Sequence, residues 1–118
     1  MSDANETYGI SAQSLRQLRQ LFDATPELER VWIFGSRATG KARANSDIDV
    51  AFDAPRMSPE AARRLVLSID GLPTLYRIDA VHWQGVTDPT LRSEIERDRR
   101  VLWQPLRRAA ETHPAARE

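Results

Sequence analysis

Two carboxylates stand two residues apart in the run Ser46-Asp47-Ile48-Asp49-Val50-Ala51-Phe52, where Asp47 and Asp49 fall on one alternate set of positions and Ile48, Val50 and Phe52 on the other. On a strand, side chains at i and i+2 leave from one face, so Asp47 and Asp49 would sit within several ångströms of each other. Left alone, the two charges repel. A cation between them relieves that repulsion, and oxygen ligands in a chain without cysteine favour a hard divalent ion, Mg²⁺ or Mn²⁺. A third carboxylate, Asp79, lies in the middle of Arg77-Ile78-Asp79-Ala80-Val81. An acid inside an apolar run needs a compensating reason to be there. If its strand pairs beside 46–52, all three acids line one sheet face.

Upstream, an apolar run ends at Phe34-Gly35-Ser36. A strand that stops at Gly-Ser and enters a tight turn exposes backbone N–H groups and a small hydroxyl, with no Cβ at Gly35 to block a close ligand. That geometry suits a phosphate chain, and Arg37, Lys41 and Arg43 follow at once with positive charge. Three carboxylates, a phosphate-holding turn and two divalent ions together make up a site for two-metal nucleotidyl transfer.

The elements that must position these groups follow from spacing. Leu15, Leu18, Leu21 and Phe22 repeat at helical steps after a capping Ser11, which predicts a helix over 11–23. Residues 30–34 read as a buried strand, 37–44 as a short helix or turn, and 46–52 as a half-buried strand with acid on one side. Ser58-Pro59-Glu60 starts a helix that runs to about Ile69, before Gly71. A strand over 77–83, a helix capped by Asp88-Pro89 through about Arg97, and a short strand at 101–103 complete the order. Such alternation predicts an α/β (α+β) fold, a small mixed sheet with helices mainly on one face. The domain should span 10–103, with a polar arm over 1–9 and a frayed tail over 104–118. His82, three residues after Asp79, should face the other side of its strand. Trp32, Trp83 and Trp103 are too scattered along the chain to suggest a base-stacking platform, so core or partner-facing roles are expected for them.

Length and charge narrow the function. At 118 residues the chain has room for one domain and one modest core. Its 17 basic and 17 acidic residues balance, which argues against a domain that works chiefly by neutralising nucleic-acid phosphates. The balance conceals segregation: residues 1–29 hold two Arg against five acids, and residues 89–108 hold six Arg against three. The absence of cysteine excludes disulfides and thiolate chemistry. No apolar run is long enough to span a membrane and the N-terminus lacks signal-peptide order, so a cytoplasmic protein without membrane contact is expected.

The pattern Gly35-Ser36, ten residues, Asp47-x-Asp49 resembles the DNA polymerase β-like nucleotidyltransferase superfamily. More narrowly, Gly-Ser-Arg-Ala-Thr-Gly followed by Ser-Asp-Ile-Asp is similar to the minimal nucleotidyltransferase (MNT) proteins, over about residues 10–103. The resemblance implies a nucleotidyltransferase fold in which Asp47 and Asp49 bind two Mg²⁺ ions, with Mn²⁺ as a substitute. It implies that Asp79 binds one ion and helps deprotonate an acceptor hydroxyl, while Gly35 and Ser36, with Arg37 beside them, hold the phosphates of ATP. Proteins of this kind commonly act as antitoxins, transferring AMP to a tyrosine of a HEPN-domain toxin. A HEPN partner is therefore expected, and self-association is left open. Transfer to a small molecule such as an antibiotic, and a non-catalytic partner-binding module, are the alternatives.

Overall fold

The computed structural model describes residues 7–106. Helix α1 (Ala12–Asp23) begins where Ser11 Oγ accepts the Ser14 N–H at 3.2 Å. Strand β1 (Arg30–Phe34) follows, then one helical turn, α2 (Ser36–Thr39), and strand β2 (Ile48–Asp53). Helix α3 (Pro59–Asp70) is capped by Ser58, whose Oγ accepts the Ala61 N–H, and has Pro at its first position, where no N–H is needed. Strand β3 (Ile78–His82), helix α4 (Pro89–Asp98) with Asp88 as its cap, and strand β4 (Arg100–Trp103) complete the chain order.

The four strands lie in the order β3-β2-β1-β4. β1 runs antiparallel to both β2 and β4, and β2 runs parallel to β3, as a crossover through α3 requires. The main core fills the face under α1 and α3, where Leu15, Leu18, Phe22, Leu65 and Ile69 meet Val31, Ile33, Ile48, Val50 and Phe52. On the other face α4 lays Ile95 against Trp32, Phe34 and Ala51. Two long helices on one side and one on the other make a mixed α/β sandwich.

Three local expectations change. β2 starts at Ile48, not at 46, because Ser46 O is taken by the Arg37 side chain; the ladder to β3 opens with Ile48 N–H to Arg77 O at 2.9 Å. β3 is correspondingly shorter than 77–83, with Trp83 turned into a single 3-10 turn, Trp83–Gly85. That turn brings Trp83 edge-on to Trp32, ring centroids 5.6 Å apart, so two of the scattered tryptophans do meet. Arg99 stacks over Trp32 at 4.3 Å and Arg92 over Trp83 at 4.1 Å. His82 faces away from Asp79, stacked on Phe52 and within 2.9 Å of Ala54 O. The expected arm and tail fall mostly on residues 1–6 and 107–118, which lie outside the described residues. Among the described residues no helix is long and apolar enough to cross a membrane.

Candidate active site

The register of the central strands sets the acids. Asp49 lies opposite Phe34, the last residue of β1, on one side and opposite Asp79 of β3 on the other. Both carboxylates therefore leave the sheet on the α4 face, at the end where β1 turns into α2. Asp47 is exposed and sits just before β2, outside the ladder. The carboxyl of Asp79 is about half exposed (48%) and accepts from Arg77 Nε at 3.4 Å, a long, solvent-exposed contact worth little. Neither Asp47 nor Asp49 is ion-paired among the described residues.

The electrostatics agree with the register. Burial, followed by the charges of Asp79, Asp47 and Glu94, pushes the Asp49 carboxyl above its ordinary value. A carboxyl raised in this way shares its neighbourhood with other acids and lacks a counter-charge. Glu94 enters from α4, one residue before the inward-facing Ile95, and nothing in its local sequence distinguishes it. Only the packing of α4 on the acid face could reveal it.

Gly35 closes the other side of the site. Its backbone has φ +75° and ψ −154°, a region essentially restricted to glycine. A Cβ built there would lie 2.6 Å from Asp49 Oδ2, so the missing side chain is what lets the turn approach the carboxylate. Gly35 O accepts the N–H groups of Ala38 and Thr39, each at 3.1 Å, which closes α2. The first N–H groups of that turn, on Ser36 and Arg37, have no intrahelical acceptor.

Arg37 lies elsewhere. It is buried, 4% exposed, and its guanidinium donates to Tyr8 O at 2.9 Å, Ala44 O at 3.2 Å and Ser46 O at 2.8 Å while lying over the Tyr76 ring at 5.0 Å. Tyr8 and Tyr76 pack on the α1/α3 core, so Arg37 points to the opposite side of the sheet from Asp49. Its donors hold the backbone of the loop that delivers Asp47. Lys41 and Arg43 are exposed on that loop.

The chemistry of the donor set suits a divalent cation: the charges of Asp79, Asp47 and Glu94 bear on Asp49, which has no ion-pair partner among the described residues. Among the described residues no three acidic or His side chains are gathered closely enough to hold one metal ion between them as they stand.

Comparison with known proteins places this geometry. Residues 16–107 match the family model described as Polymerase beta, Nucleotidyltransferase. A search of curated proteins finds no match. Among solved structures, one described as a minimal nucleotidyltransferase is 33% identical, with TM-score 0.52, covering 74% of this chain and 91% of the other. A toxin-antitoxin structure with AMP-PNP superposes with TM-score 0.61 at 21% identity, covering 86% and 82%. An MNT antitoxin in complex with a tri-AMPylated HEPN toxin from Shewanella oneidensis superposes with TM-score 0.57 at 18% identity, covering 88% and 81%. With a family match over most of its length and an acid rim built against a glycine turn, this chain belongs to the polymerase β-type nucleotidyltransferase family.

Proposed function

We propose that this protein transfers AMP from ATP to a hydroxyl of a HEPN-domain partner protein, as the antitoxin of a toxin-antitoxin pair in the cytoplasm. The observation that carries this reading is the shared face of Asp49 and Asp79, with Asp47 beside them and Gly35 packed against Asp49. The likeness to the AMP-PNP-bound and AMPylated toxin-antitoxin structures supports ATP as the donor and a HEPN protein as the acceptor.

Asp47 and Asp49 would hold two Mg²⁺ ions, and Asp79 one of them. When bound, such ions stabilise the attacking and leaving oxygens alike. The open N–H groups and hydroxyl at Ser36, reached past the bare Cα of Gly35, hold the β- and γ-phosphates. Asp79 accepts the proton of the acceptor hydroxyl. That oxygen bonds to the α-phosphorus, the bond from the α-phosphorus to the bridging oxygen breaks, and pyrophosphate leaves with the electron pair. Arg37 acts at one remove, by fixing Ser46 O and with it the approach of Asp47.

The test is incubation of the protein, ATP and Mg²⁺ with the product of its neighbouring gene, followed by intact mass. The expected result is a gain of one or more AMP units that disappears with Asp47→Ala/Asp49→Ala. Silencing of the partner with no change of mass overturns the transfer reading in favour of simple binding.

A further inference from the structure

Strand β3 is an edge of the sheet, and its outer side is open. Its ladder to β2 opens with Ile48 N–H bonded to Arg77 O, and the parallel register pairs Asp49 with Asp79 and Ala51 with Val81. The main-chain groups of Asp79 and Val81 are therefore turned inward to β2, and the N–H groups of Ile78, Ala80 and His82 point out. No described residue accepts from them. The usual guards of an edge are missing, since β3 contains no Pro, Lys or bulge.

A cleft lies at each end of this edge. One, of about 370 Å³, is lined by Ile69, Leu72 and Tyr76 on the α3 side and reaches Ile78 and Asp79. The other, of about 360 Å³, is lined by Val86 and Leu91 on the α4 side and reaches Val81 and His82. Ile78 and Val81 are three residues apart, so their side chains leave opposite faces of the sheet, as the two clefts do. A strand laid along β3 alternates in the same way: a residue opposite Ile78 enters the first cleft, and a residue opposite Val81 enters the second. Asp79 lies between the clefts with its carboxyl about half exposed. In antiparallel pairing, the slightly more stable kind, the residue opposite Asp79 takes a non-hydrogen-bonded position, where Cα atoms are only about 4.5 Å apart. Its side chain leaves on the face of Asp79, and the diagonal neighbours on that face are within reach of an aromatic side chain.

We propose that β3 receives the acceptor-bearing segment of the partner protein as a fifth, antiparallel strand. That segment is extended, carries its hydroxyl on the Asp79 face and offers an apolar side chain to the cleft on the α4 side. This docking presupposes the transfer reading above and adds how the acceptor arrives. Main-chain bonds supply affinity, and the clefts supply the register that decides which hydroxyl meets Asp79.

Amide hydrogen exchange of the full chain read by NMR, without ATP, alone and with the product of its neighbouring gene, tests the docking. In the free chain the amides of Asp79 and Val81 should exchange slowly and those of Ile78, Ala80 and His82 fast. Binding should slow the second set by about tenfold or more, which erases the alternation. Ala80→Pro removes one outward N–H and no bond to β2, so it should fold and bind ATP with Mg²⁺ as the wild type does, yet hold the partner about tenfold more weakly. Ala80→Ser, which keeps the N–H, should behave as the wild type. A neighbour that gains AMP from the active chain without slowing these amides overturns the docking and leaves the transfer reading standing. Outward amides that are already slow in the free chain and quicken on dilution overturn it too, and assign the edge to a second copy of this chain. So does an Ala80→Pro protein that holds the partner at wild-type strength. A neighbour that neither binds nor gains AMP removes both readings.

Discussion

Gly35→Ala separates two things glycine can do here. The first is backbone: at φ +75° and ψ −154° an L-residue carries strain of about 1–3 kcal/mol. Reduced freedom of the unfolded chain returns about 0.4–1 kcal/mol of that. The net loss of stability should be about 1–2 kcal/mol, read as a lower urea midpoint at unchanged slope. The second is space. The new methyl would meet Asp49 Oδ2 at 2.6 Å, where ordinary contact starts at 3.4 Å, so the carboxylate must retreat by most of an ångström. A misplacement of about 1 Å in reacting groups costs on the order of 10²-fold in rate. Transfer of AMP should thus fall at least that far in a protein that is still folded.

Gly40→Ala is the matched control. Its φ of +79° imposes a comparable left-handed penalty of about 1–2 kcal/mol, yet an added Cβ meets nothing within 4 Å. It should lose stability and keep most of its transfer rate, measured by intact mass of the partner. If Gly35→Ala transfers AMP at a near wild-type rate, or if both variants lose activity in step with stability, the steric argument is refuted.

The raised carboxyl of Asp49 has a pH signature. A native-state value above the unfolded one means the native state holds the proton more tightly, so metal-free stability should fall as pH rises from about 3.8 through the raised value. Asp49→Asn should flatten that slope and raise the neutral-pH urea midpoint; a slope identical in the variant removes Asp49 as its source. Arg37→Met strips the carbonyls of Tyr8, Ala44 and Ser46 of a buried donor and should cost about 3 kcal/mol or more. Hydrogen exchange should quicken first at the amides of 43–47, and uniform exchange behaviour would show that the loop does not depend on it. Ser58→Ala removes the α3 cap and should cost about 1 kcal/mol, with transfer activity intact, since α3 lies on the sheet face opposite the acids.

Where sequence was informative, the physics was local. The helix at 12–23 shows in its leucine spacing and its Ser11 cap, and Ser58-Pro59 marks the α3 start to the residue. Asp49 is legible because period-two alternation is a direct image of a half-buried strand, whereas Asp47 falls just before the ladder. The pairing of Asp79 with Asp49 was conditional on strand neighbours, and only the parallel β2–β3 ladder settles that register. Glu94 was invisible because helix-to-sheet docking has no counterpart in nearby residues. Arg37 follows Gly-Ser in sequence as a phosphate ligand would, yet a one-residue step around a tight turn carries it across the sheet.

That step bears on how the motif works. Gly35 and Arg37 are two residues apart and stand on opposite sides of the sheet, the glycine against Asp49 and the arginine against the backbone that precedes Asp47. One tight turn thereby fixes two acids by independent means, a steric limit for one and a main-chain tether for the other. Asp79 has no such anchor. It rides on β3, an edge strand, with an exposed carboxyl and only a weak contact to Arg77. The group proposed to take the acceptor proton is consequently held through the backbone of the β2–β3 ladder, with little to fix its carboxyl. A docked partner that covers this edge would desolvate Asp79 and confine it, coupling arrival of the acceptor to completion of the site.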